Sequence, residues 1–116
     1  MTLREFRRAL VAALGRHFPR AKVTIAESRS VTLTCKAELT EDTFIAVYYS
    51  ALTGKTSYAL IRHGQRMTGY DNYRFWHHHP VEAPDDHVPC AEPTPEKAIA
   101  ELAAVSEKLS KKTVSK

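Results

Sequence analysis

The stretch from Val23 to Ser50, VTIAESRSVTLTCKAELTEDTFIAVYYS, alternates apolar and polar side chains and is rich in Val, Thr, Ile and Tyr. A period of two lines up one face of a pleated ribbon, whereas on a helix it would scatter around the axis. These residue types also suit a pleated, half-buried surface. Breaks fall at Glu27–Ser30 and Thr40–Asp42, and Ala51–Lys55, with Gly54, turns the chain into TSYALIRH. Gly64–Gln65 then makes a short turn into RMTGYDNY. Short connections of this kind join neighbours, so the pattern predicts four or five antiparallel strands in a meander.

A helix is expected on each side of the strands. Thr2 followed by Glu5 has the spacing of a capping box, and Leu3, Phe6, Leu10 and Leu14 repeat at helical intervals until Gly15 and Pro19 end the element. At the other end Thr94 is the expected N-cap, with Pro95 in the first turn and Glu96 complementing the helix dipole. Ile99, Leu102, Val105 and Leu109 form its apolar stripe. Between strands and helix, Pro80, Pro84, Pro89 and Pro93 predict an irregular loop, since proline removes a ladder donor and restrains its predecessor. The expected architecture is α+β: N-terminal helix, antiparallel meander, proline-rich loop, and a C-terminal helix packed on one sheet face. With 116 residues the chain suits one domain, drawn over 1–110, with 111–116 as a frayed basic tail.

Cys35 and Cys90 are too few and too far apart for a disulfide framework, and Cys35 reads as a small buried hydrophobe. The charged opening residues do not resemble a secretory signal, and no apolar run is long enough to span a bilayer. A cytoplasmic protein without a membrane partner is the expectation. Net charge is +4, unevenly spread. Residues 1–22 carry six cations against Glu5, whereas residues 81–107 carry seven carboxylates against Lys97. A surface polarised in this way can steer a polyanion, although a basic amphipathic helix is also simply well solvated.

Four of the six histidines fall between Gly69 and Pro89, in GYDNYRFWHHHPVEAPDDHVP. If extended, His77 and His79 share a face and His78 points away, with His87 returning through the loop. Imidazole exchanges protons near neutral pH. Metal-free RNA cleavage needs a base for the 2′-hydroxyl, an acid for the leaving oxygen and a cation on the phosphate. Arg62, Arg66 and Arg74 are the candidate phosphate contacts, and Tyr70 and Trp76 are candidates to stack a base. Histidines beside Asp71, Asp85 or Asp86 also provide zinc-type ligands, but three adjacent histidines match no strong ligand spacing, so no metal or other cofactor is assigned. A solvated polar loop is the competing reading.

The segment GKTSYALIRHGQRMTGYDNYRFWHHHP, followed by a further histidine and a Pro-Thr-Pro-Glu helix start, resembles the TumE-type toxins of prokaryotic toxin–antitoxin pairs. Ser57–Tyr58 match that family's Ser-Tyr pair, Tyr70–Asp71–Asn72 its aromatic-Asp-Asn triplet, and His78–His79–Pro80 its His-His-Pro. The resemblance covers roughly residues 30–110; a second His-Lys-His cluster found in many members is represented here by His87 alone. It implies a toxin with a cognate antitoxin, often a helix-turn-helix protein. His78, His79 and His87 are the expected proton-transfer groups, Asp71 fixes a tautomer, and Asn72 orients a phosphate or base edge. The expected function is thus an RNA-directed toxin, as a metal-independent endoribonuclease or a translation inhibitor. A non-enzymatic nucleic-acid- or protein-binding module and a metal-assisted hydrolase are the alternatives. Self-association is compatible with all three.

Overall fold

A computed structural model describes residues 1–114, and the side chains of 1–110. Helix α1 (Leu3–His17) is followed by strands β1 (Lys22–Ser28), β2 (Thr32–Glu38), β3 (Thr43–Ser50), β4 (Thr56–Arg62), β5 (Gln65–Asp71), β6 (His77–His79) and β7 (Val88–Pro89), then by helix α2 (Pro95–Val114). The strands form one antiparallel sheet in sequence order, and both helices cover one of its faces. The α+β class is as expected, but there are seven strands where four or five were expected. β2 to β4 bury alternate residues as expected, whereas β1 is exposed almost throughout and β5 buries only Gly69. β6 and β7 span three and two residues, too short for a period to register beside so many prolines. The tail expected to fray at 111–116 lies beyond the described side chains, and 115–116 outside the described residues altogether.

The Thr2 hydroxyl accepts from the Glu5 N–H, and the Glu5 carboxylate accepts from the Thr2 N–H, which completes the capping box. Leu3, Phe6, Leu10 and Leu14 are buried as their spacing predicts, joined by Ala13. Gly15 does not end the helix: α1 continues to His17 and is capped at Phe18, whose N–H donates to the Leu14 carbonyl. In α2, Ala98, Ile99 and Leu102 are buried and Val105 and Leu109 pack at the margin. The Thr94 hydroxyl accepts from the Lys97 N–H as the N-cap should. Against these stripes the sheet presents Leu33, Cys35, Ala37, Ile45, Val47, Tyr49, Tyr58 and Leu60. Phe6 of α1 stacks flat on Tyr49, with ring centroids 4.1 Å apart. Burial pushes the Cys35 thiol up to about 11, as suits a core residue rather than a nucleophile.

The two helices meet end to end in charge. Arg16 Nη1 lies 2.6 Å from the Glu96 carboxylate, and His17 also contacts it. This places cations at the C-terminus of α1 and an anion at the N-terminus of α2, as both dipoles favour. The hydrogen bond from His17, followed by the charges of His17 and Arg16, holds the Glu96 carboxyl below its ordinary value of 4.5. A depressed carboxylate contributes stability that is fully present above the unfolded value and is lost as pH falls through the folded one. Glu96→Gln is therefore expected to flatten stability against pH below 4.5. Thermal melts across an acid pH series measure this.

Where β4 and β5 pair, the register shifts between Leu60 and Ile61. One residue past Thr68, the partner of Leu60, Gly69 lies against the neighbouring backbone: a Cβ there would stand 2.3 Å from the Tyr58 carbonyl oxygen and 3.1 Å from Ala59 Cα. Backbone cannot yield as a flexible side-chain end can. Gly69→Ala is expected to cost about 1–3 kcal/mol, read as an earlier midpoint in urea unfolding. The position matters to the site because Gly69 pairs directly with His79.

Candidate functional site

Strand β6 delivers its histidines to two different places. His77 and His79 point to the sheet face away from the helices, and His78 points to the helix side, where its ring lies 6.0 Å from Tyr70. Across the ladder, Asp71 of β5 is the register partner of His77 and the diagonal neighbour of His79. Its carboxylate is thereby placed between two imidazoles, as same-face cross-strand neighbours allow. Asp71 Oδ1 lies 2.9 Å from His77 Nε2, and Oδ2 lies 2.9 Å from His79 Nε2.

The other ring nitrogens are equally committed. His77 Nδ1 donates to the Phe75 carbonyl at 2.9 Å, and His79 Nδ1 donates to the Pro84 carbonyl at 2.9 Å. A carbonyl only accepts, so both Nδ1 atoms carry hydrogen and both Nε2 atoms are turned inward. The loop after β6 makes this possible. Pro80 ends the strand, and turns closed by Ala83 N–H to Pro80 O and Asp86 N–H to Ala83 O bring the Pro84 carbonyl back over His79. The same loop lays His87 on His77, with ring centroids 4.6 Å apart and 22° between planes, and 4.9 Å from His79. His77 and His79 are each only 2% exposed, whereas His87 is open to solvent.

Burial works to raise the Asp71 carboxyl, but the hydrogen bond from His79, the Tyr73 N–H at 3.1 Å and the two imidazoles outweigh it. The net effect holds Asp71 below the usual carboxylate range. Arg66 Nη1 sits 3.2 Å from His79 Nδ1 and 3.1 Å from its Nε2. A nitrogen that close to both ring nitrogens cannot lie in the ring plane, because Cε1 stands between them; the guanidinium therefore rests against the imidazole face.

The residues singled out in the sequence are thus divided. Asp71, His79, His87 and Arg66 come together, while His78 and Tyr70 lie through the sheet on the helix side. Asn72 and Trp76 line a different cavity of about 540 Å³, beside Phe6, Tyr49, Tyr58 and Glu92. Asn72 there uses Oδ1 to accept from the Thr56 N–H and Nδ2 to donate to the Gly54 carbonyl, so its amide fastens the turn before β4. Arg62 faces a smaller hollow with Asp42 and Ser106, and Arg74 stands in a left-handed turn, φ 70°, over the Tyr73 ring. The three arginines do not form one phosphate-binding row. His77 joins the cluster although it was not among the expected proton-transfer groups; strand alternation, which pairs 77 with 79 and excludes 78, is the signal that finds it.

No protein-family model, curated protein or solved structure matches this chain. Among the described residues, no helix is long and apolar enough to cross a membrane.

Proposed function

We propose that the chain is the toxin of a toxin–antitoxin pair and cleaves RNA at the cluster of Asp71, His77, His79 and His87. One observation carries the chemistry. A carboxylate fixes two buried imidazoles whose outer nitrogens are tied to backbone carbonyls, so their inner nitrogens converge on one point. Such preorganisation is what proton transfer requires, and a solvated loop does not need it. Support for the toxin role comes from the motifs that resemble the TumE-type family. Ser57–Tyr58, Tyr70–Asp71 and His78–His79 lie on three adjacent strands, with Ser57 opposite Asp71 and Tyr70 opposite His78.

In this reading the 2′-oxygen attacks phosphorus and gives its proton to His87, the exposed ring that His77 and His79 support. The bond from phosphorus to the 5′-oxygen breaks, and that oxygen takes a proton back. His87 is the imidazole that an incoming strand meets first, and Arg66 holds the phosphate. Asp71 holds His77 and His79 and does not touch substrate.

Incubating the purified protein with cellular RNA tests the proposal. Cleavage is expected with the wild type, falling in His79→Ala and His87→Ala, and Arg66→Ala should raise KM more than it lowers kcat. Intact RNA with the wild type would sink it. Toxicity that persists in both histidine variants would instead favour a binding module, whose hold on nucleic acid should weaken steeply with salt.

A further inference from the structure

We propose that His77, His79 and His87, with Asp71 beside them, form a binding site for a divalent transition-metal ion of the zinc class. One ligand nitrogen from each of the three rings lies within 4.8 Å of the others, on two strand positions and one loop position. The ring centroids lie 4.6 to 5.0 Å apart, with His87 stacked on His77 and edge-on to His79.

Two further observations point to a cation. Each buried imidazole donates its Nδ1 hydrogen to a backbone carbonyl, Phe75 for His77 and Pro84 for His79. That outer contact is the one that orients metal-binding histidines and leaves the opposite lone pair free. Each Nε2 then faces a carboxylate oxygen of Asp71 at 2.9 Å, a contact that needs a positive centre shared between nitrogen and oxygen. Two protons would serve, and so would one doubly charged ion.

The donor set selects the ion. Imidazole nitrogens with one carboxylate suit zinc and its neighbours; calcium and magnesium require more oxygen ligands than this cluster offers. His87, the exposed member, is the way in and closes the site over the buried pair. Arg66 rests on the cluster, and its charge opposes the ion. Its presence predicts that Arg66→Ala binds zinc more tightly, by about 3- to 10-fold.

Only what the ion would do rests on RNA cleavage: activating the attacking hydroxyl as a Lewis acid. That it binds rests on the geometry alone. The test is calorimetric titration of chelator-stripped full-length protein with Zn²⁺, and separately with Mg²⁺. One Zn²⁺ per chain and no Mg²⁺ are expected, with affinity lowered about 10- to 100-fold in Asp71→Asn, by more in His79→Ala, and unchanged in His78→Ala. Cobalt substitution of the unmutated protein checks the site without relying on any variant's folding: strong visible absorption marks four-coordination and supports the site, whereas a weak octahedral spectrum overturns it. Failure to bind Zn²⁺ also overturns it. So does equal loss in His78→Ala and His79→Ala, which would mean that the surface of the histidine run holds the ion. Zinc bound while RNA stays intact sinks the RNA reading alone. RNA cut equally well in chelator by a protein that takes no zinc sinks the metal site alone.

Discussion

Replacing Asp71 with alanine is expected to destabilise the protein by about 3 kcal/mol, more than any substitution of an exposed carboxylate should. The carboxylate faces both His77 Nε2 and His79 Nε2, and these rings are almost wholly buried. Without it, His77 Nε2 loses its carboxylate partner and His79 Nε2 keeps only the Arg66 nitrogen 3.1 Å away against the ring face, while the outer nitrogens stay tied to Phe75 and Pro84. The loss is therefore two buried contacts rather than one surface ion pair, which would be worth at most about 1 kcal/mol. Asp71→Asn keeps one acceptor oxygen and the volume, so it should fall between wild type and alanine. Chemical denaturation of the three proteins measures the series. If Asp71→Ala is as stable as wild type, the carboxylate does not hold the imidazoles and the site loses its preorganisation.

The second large effect concerns the three consecutive histidines. His77→Ala and His79→Ala are each expected to lower the proposed RNA cleavage about 100- to 10,000-fold, and His78→Ala by no more than about 3-fold. The contrast follows from the pleat alone. Adjacent residues on β6 point through opposite faces, and only the outer one holds Asp71, Arg66 and His87. Initial rates on one RNA substrate, with circular dichroism to confirm folding, would measure it. A loss in His78→Ala equal to the other two would move the chemistry to the Tyr70 side of the sheet.

Much of this fold is legible in the residues because it is local. The Thr2–Glu5 box, the Leu3–Phe6–Leu10–Leu14 stripe, Thr94–Pro95 and the alternating strands β2 to β4 each depend on neighbours a few positions apart. The site is legible only in part because it depends on register. That Asp71 meets both His77 and His79 is fixed by the pairing of β5 with β6, through a turn whose Arg74 takes a left-handed conformation that no glycine announces. The separation of Asn72 from the cluster has a similar cause: position 72 lies just past β5, where its amide turns to Gly54 and Thr56. Charge counting also misleads about Arg62, Arg66 and Arg74. It sees three cations close in sequence, whereas a strand, a bulge and a turn point them in different directions.

The outer two strands of the sheet carry a further consequence. β6 is three residues long and is bordered beyond by only two residues of β7, while the helices pack over the long strands behind. Little buried apolar surface secures residues 77–90, so this margin can unzip while the meander stays closed. Amides of β6 and β7 should therefore exchange with deuterium well before those of β2 to β4. Early exchange there would mean that the imidazole cluster opens and re-forms without the molecule unfolding.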